Sequence, residues 1–260
     1  MKVVIFCGGK GTRLREETEF RPKPMVPIGE RPILWHIMKL YAHYGHNDFI
    51  LCLGYQGDVI KQFFQHYLWN TCDVTLSLGR DARAEFHGRH GEENWRVTLA
   101  DTGQESMTAE RLRRVERYLG PDKEFLLTYG DGVGNVDIPR AIAQHRAAKK
   151  LLTVTAVHPP GRFGDLALAG DTVTGFNEKP QSEGGWINGG FFVASRGVFR
   201  ELADFGDVML ERGPLDRMAA QGQLGAYRHD GFWQPMDTYQ EFLYLNRLWS
   251  EGKAPWKLWA

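Results

Sequence analysis

Apolar positions in the first half of the chain fall into two alternating kinds of run. "VVIFC" (3–7) is a short β-rich run ending in a glycine loop, and "PILWHIMKLYAHYG" (32–45) has helical spacing, opened by Pro32 and stopped by Gly45. "DFILCLGY" (48–55) predicts a buried strand, "QGDVIKQFFQHYL" (56–68) a helix and "DVTLSL" (73–78) a third strand, the rhythm of crossover units on a parallel sheet. The polar stretch from Gly79 to Asn94 reads as a surface excursion, and "WRVTLADTG" (95–103) resumes the strands. "TAERLRRVERYL" (108–119) places Leu112, Val115 and Leu119 on one helical face, and "EFLLTYGDG" (124–132) returns to the sheet.

The second half is more mixed. "DIPRAIAQHRAA" (137–148) predicts a helix and "LLTVTAV" (151–157) a strand, while "GDLALAGDTVTGF" (164–176) alternates on both sides of Gly170-Asp171 and predicts a hairpin. "WINGGFFVA" (186–194) and "LGAYRH" (224–229) read as strands, "PLDRMAAQ" (214–221) as a short helix and "TYQEFLYLNRLW" (238–249) as a terminal helix. No repeat or low-complexity linker separates the halves. The expectation is an α/β chain with one open, mostly parallel mixed sheet, helices on both faces and antiparallel additions.

Charge and cysteine content narrow the chemistry. Lys+Arg and Asp+Glu both number 32 in 260 residues, so no general field draws the chain to nucleic acid or an anionic membrane. Any attraction to phosphate has to be local. The three cysteines make no paired framework; Cys7 and Cys52 lie in apolar runs that predict buried thiols, and Cys72 follows a polar turn. "MKVVIFCGG" is too short and too weakly charged for a signal segment, and no run reaches the ~18 apolar residues of a membrane span. The chain reads as cytoplasmic.

The local attraction is in "CGGKGTRLREETEFRPKPM" (7–25), which combines glycines able to expose backbone N–H groups with arginines and lysines. It is neither a Walker A loop, because Gly9-Lys10 is followed by Gly11, nor a dinucleotide fingerprint, because Leu14 stands at the third glycine. What remains is a loop in which Arg13 and Lys23, the latter held between prolines, could meet on nucleotide phosphates; a solvated surface lysine is the plain alternative for Lys23. Asp131 in "YGDG" lies at the end of a predicted strand, where open α/β sheets place their sites, with a simple turn residue as its alternative. Asp237 in "MDT" directly precedes a helix and, taken alone, reads as an ordinary N-cap. "INGGFF" sets Asn188, Gly189 and Gly190 in an apolar strand, a choice that makes sense where backbone closely approaches another group.

"GGKGTRLREET" with "RPKPM", "YGDG" (129–132), "NEKP" (177–180), "INGGFF" (187–192) and "QPMDT" (234–238) together resemble the sugar-1-phosphate nucleotidylyltransferases. "PILWHIMKLYAHYG", "SMTAERLRRV", "HPPGRFG" and "GKAPWKLW" are similar to the glucose-1-phosphate cytidylyltransferase branch over essentially the full chain. The resemblance implies a Rossmann-like nucleotide-diphospho-sugar transferase fold in one domain over 1–260, with nucleotide bound by 1–135 and sugar binding and assembly left to 136–260. It implies transfer of the cytidylyl group of CTP to α-D-glucose 1-phosphate, giving CDP-glucose and pyrophosphate. A thymidylyl- or uridylyltransferase, or a non-catalytic nucleotide-binding relative, are the alternatives.

Residue by residue, the resemblance implies that Arg13 and Lys23 grip the triphosphate, that Asp131 and Asp237 hold Mg²⁺, and that Lys179 takes the sugar phosphate. Phe6, Cys7, Gly8, Gly9, Lys10, Gly11, Thr12, Ser106, Arg111 and Gly130 would complete the nucleotide side. Ser106 or a backbone carbonyl would accept from cytosine, and Arg111 would donate; a helix-entry serine and a solvated helix arginine are the alternatives. Tyr129, Gly164, Glu178, Asn188 and Gly189 would form the sugar side. Lys10 and Cys7 depart from residues common in the family but leave the glycine framework intact. A homo-oligomer built on trimers, up to a hexamer, is also implied. The late Trp249, Trp256 and Trp259 would either cover a neighbouring subunit or fold back on the core.

Overall fold

The structure, a computed structural model, describes residues 1–11, 14–80, 82–88, 94–159, 165–169, 172–177 and 185–259, with backbone alone at 15–16, 165–169 and 175–177. Its centre is a seven-stranded sheet of β1 (Val3–Cys7), β2 (Asp48–Leu53), β3 (Arg96–Asp101), β4 (Glu124–Tyr129), β5 (Leu152–Val157), β6 (Ile187–Ser195) and β7 (Leu224–His229). The spatial order is β7-β5-β6-β4-β1-β2-β3. Only β6 runs antiparallel to its neighbours, while β1 is parallel to both β2 and β4. The near-continuous apolar runs Val3–Cys7 and Phe49–Leu53 are buried throughout, as strands covered on both faces must be.

The chain leaves β1 in one direction through β2 to β3, then returns to place β4 on the other side of β1. That reversal opens a crevice at the C-terminal ends of β1 and β4, the position where open α/β sheets bind ligands. One apolar layer packs Ile33, Leu34, Ile37 and Tyr41 of helix Ile33–His43 against one face; the other packs Leu112, Val115 and Leu119 with Phe125 and Phe199. Among the described residues no helix is long and apolar enough to cross a membrane.

Asp73–Ser77 corrects the sequence reading. It does not enter the central sheet but pairs antiparallel with Arg83–His87, within the surface excursion 79–94. Its alternation of Asp73, Thr75 and Ser77 with Val74 and Leu76 offers at most one apolar face, which suits a surface ribbon and not a strand covered on both sides. The expected helix at 56–68 divides at His66 into Gly57–Gln65 and Tyr67–Thr71. The hairpin at 164–176 forms between Asp165–Ala169 and Thr172–Asn177; its turn, Gly170-Asp171, lies outside the described residues.

The C-terminal tryptophans fold back on the core. Trp256 is fully buried and its indole N–H meets His36 Nδ1 at 3.4 Å, while Trp249 and Trp259 pack around the same imidazole. His36 Nε2 donates to the Ile28 carbonyl at 3.0 Å, and burial pulls its pKa down to about 4.

Candidate active site at the reversal of the sheet

Phe6 on β1 lies in register with Tyr129 on β4, so the glycine loop and the "YGDG" segment leave the sheet side by side. The Gly130 N–H donates to the Phe6 carbonyl at 3.0 Å and pins the two exits together. Asp131 then leads into Gly132–Gly134, which pairs with Trp233–Pro235. The Met236 N–H donates to the Asp131 carbonyl at 2.8 Å, carrying the chain straight on to Asp237. Two carboxylates 106 residues apart are thereby brought to one point by a three-residue ladder that sequence reasoning did not predict; the small "GVG" beside "WQP" was its only signal.

Lys23 reaches that point from the other direction. Pro22, Lys23 and Pro24 form a tight 3₁₀ turn, closed by Met25 N–H to the Pro22 carbonyl at 2.8 Å. The Lys23 ammonium is 2.7 Å from Asp131 Oδ2 and also donates to Asp237 Oδ1. At 8 % exposure Lys23 is no solvated surface lysine. Burial works against its charge, but the two carboxylates outweigh burial and hold its pKa above the ordinary value. Nor is Asp237 the helix cap. That role belongs to Thr238, whose hydroxyl accepts from Glu241 N–H, while Glu241 accepts from the backbone N–H of Asp237 and Thr238.

A cavity of about 530 Å³ opens from this cluster, with Gly8 to Gly11 on one wall and Gln104 to Thr108 on the other, a size suited to a nucleotide. Lys10 and Glu105 form an exposed ion pair of 2.9 Å between the walls. Phe6, Ser106, Tyr129 and Gly130 also line the space, and Cys7 is buried beneath the loop with its thiol pushed far above its usual range by burial.

Arg111 is not the solvated helix arginine of the alternative reading. It is buried, and its guanidinium donates to the carbonyls of Gly8, Leu53, Gly103 and Gln104 and to the Thr102 hydroxyl, at 2.8 to 3.2 Å. It thus clamps both walls of the cavity through its two Nη groups, and it also lines the space between them. A side-chain carbon at Gly8 or Gly54 would collide with the guanidinium, so glycine at both positions makes the clamp possible.

On the sugar side of the sequence reading, Asn188 and Gly189 start β6 next to Tyr129. Gly190 has φ +78°, and a side-chain carbon there would strike the Tyr129 ring. This is the close backbone approach the "INGGFF" glycines foreshadowed. Thr12, Arg13, Gly164, Glu178 and Lys179 lie outside the described residues. The structure therefore brings Lys23, Asp131, Asp237, the glycine loop, Ser106, Arg111, Tyr129 and Asn188 into one region.

A strand-end crevice with a glycine wall, a buried lysine and paired aspartates defines a site for phosphate-bearing nucleotides. The family model for Nucleotidyl transferase matches residues 2–220, and the sequence is 51% identical over 259 residues to the glucose-1-phosphate cytidylyltransferase of Salmonella typhimurium, covering 100% of both chains. The chain is thus a nucleotidyltransferase acting on a nucleoside triphosphate and a sugar 1-phosphate, and it belongs to the glucose-1-phosphate cytidylyltransferase family. HddC from Yersinia pseudotuberculosis shares the fold with a TM-score of 0.68 at 21% identity, over 95% of this chain and 99% of its own. UTP-bound UGPase from Acinetobacter baumannii does so with a TM-score of 0.65 at 16% identity, over 95% and 92%.

Proposed function

We propose that this enzyme transfers the cytidylyl group of CTP to α-D-glucose 1-phosphate, releasing CDP-glucose and pyrophosphate, in the cytoplasm. The observation that carries the reading is the Lys23 ammonium held between Asp131 and Asp237 at the end of the nucleotide-sized cavity. The full-length identity to the Salmonella typhimurium enzyme supports CTP and glucose 1-phosphate as the particular pair.

The sugar phosphate is ionised at neutral pH, so the chain has no proton to remove from the nucleophile. Its task is to bring two polyanions into line and to neutralise charge at the α-phosphorus and on the departing pyrophosphate. Lys23 is suited to this because its neighbours keep it charged. Arg13 is assigned to the triphosphate with it, and Lys179 with Glu178 to glucose 1-phosphate. Tyr129, Asn188, Gly189 and Gly164 are assigned to the sugar pocket. Ser106 and the backbone of the 104–107 wall would meet the base edge, with Arg111 holding that wall in place.

Asp131 and Asp237 present hard oxygen donors that already converge on one cation, a donor set that suits Mg²⁺ shared with phosphate oxygens. Bound there, Mg²⁺ would supply positive charge to the reacting phosphates. We extend the reading to a homo-oligomer built on trimers, supported by the isolated ribbon 73–87, which exposes Leu76 and Leu78. Pyrophosphate release from CTP, UTP and dTTP with glucose 1-phosphate and Mg²⁺ tests the reaction.

A further inference from the structure

Residues 205–213 contain none of the motifs singled out in the sequence, yet they reach the cavity, where Met209 lines the wall. Two residues on, the Glu211 carboxylate accepts the Tyr129 hydroxyl at Oε1 and the Thr108 hydroxyl at Oε2, the latter at 3.0 Å. Thr108 Oγ1 in turn accepts from Leu210 N–H at 2.6 Å. On the far side, Asn188 Oδ1 accepts from Gly190 N–H at 2.8 Å, which leaves the Asn188 amide nitrogen as the donor toward the Tyr129 hydroxyl.

The direction of every link follows from the donor inventory. Both hydroxyls donate to Glu211, and Thr108 Oγ1 is free to do so because it accepts, and does not donate, at Leu210 N–H. The Tyr129 oxygen then offers only lone pairs to the Asn188 side. Burial first, and then the adjacent carboxylate, push the tyrosine well above its usual pKa, so it stays protonated and keeps donating. The ring itself is already held by Phe6 and Phe192, each 5.8 Å away by centroid, and by Gly190. Glu211 is therefore not needed to hold the ring; what it adds is the polarity of the hydroxyl.

We infer that Glu211 is a positioning residue for the sugar phosphate: through Tyr129 it fixes which edge of the Tyr129–Asn188 pair accepts and which donates. The inference rests on the assignment of Tyr129 and Asn188 to the sugar side.

The test is a steady-state cycle in the full chain with Mg²⁺, CTP and glucose 1-phosphate. Glu211→Ala should raise KM for glucose 1-phosphate about 5- to 20-fold and leave KM for CTP within about twofold. Glu211→Gln, which keeps an acceptor for the tyrosine, should recover to within about threefold. Tyr129→Phe should resemble Glu211→Ala, and the double variant should be no worse than the more severe single. Glu211→Ala leaving the sugar-phosphate KM unchanged, raising both KM values alike, or multiplying with Tyr129→Phe would overturn the inference. If Glu211→Ala does not fold, Tyr129→Phe reads the same link, and an unchanged sugar-phosphate KM there overturns it. Absence of turnover in the unaltered chain would instead contradict the proposed reaction, whatever Glu211 does.

Discussion

Lys23 shows how a residue's role depends on neighbours far away in sequence. Read along the chain it is a lysine in a charged, proline-rich stretch; in the fold it is the cation between Asp131 and Asp237. Its burial was not legible, because both carboxylates arrive through long-range pairing. The competing reading of Asp237 as an N-cap could be weighed only once Thr238 was seen to fill that role. Asp131→Asn and Asp237→Asn each remove a carboxylate charge beside Lys23 at nearly constant shape and should lower kcat by about 100-fold or more, measured by pyrophosphate release. Lys23→Ala leaves the two carboxylates facing each other without a cation. Added Mg²⁺ should then raise its melting temperature by more than it raises that of the unaltered chain; equal shifts would mean that the ion does not bind between these carboxylates.

At the scale of elements, the central strands and the helix Ile33–His43 were legible because burial leaves near-continuous apolar runs in the strands and an apolar stretch opened by proline and stopped by glycine in the helix. The ladder of Gly132–Gly134 with Trp233–Pro235 was not, since three residues are too few to show a period, and the partner of the strand Asp73–Ser77 was hidden because Arg83–His87 carries a single large apolar residue, Phe86. Arg111 was singled out from its sequence context, but its role as a clamp between three loops depends on Gly8 and Gly54 leaving room for it. Arg111→Ala would remove five hydrogen bonds at once and should destabilise the chain by about 3 kcal/mol or more in urea denaturation. Gly190→Ala would force a left-handed residue to carry a side chain into the Tyr129 ring. It should reduce kcat/KM for glucose 1-phosphate about tenfold, with a smaller change for CTP.

At the scale of the whole molecule, the candidate site lies at one reversal of strand order, and the C-terminal segment packs on His36 of the helix Ile33–His43. There His36 is buried neutral among Trp249, Trp256 and Trp259. Its folded pKa of about 4 lies below that of the unfolded chain, so between roughly pH 6.5 and pH 4 the unfolded state binds the extra proton. Stability should fall by about 2 kcal/mol from this group between pH 7.5 and pH 5, and His36→Gln should flatten that slope in denaturant titrations.

The proposed reading assigns the choice of base to a few hydrogen bonds at the 104–107 wall, which makes nucleotide preference the sharpest test. With glucose 1-phosphate and Mg²⁺ held constant, pyrophosphate release should be fastest with CTP, and the product should be CDP-glucose. Equal or faster turnover with UTP or dTTP would contradict cytidylyl transfer.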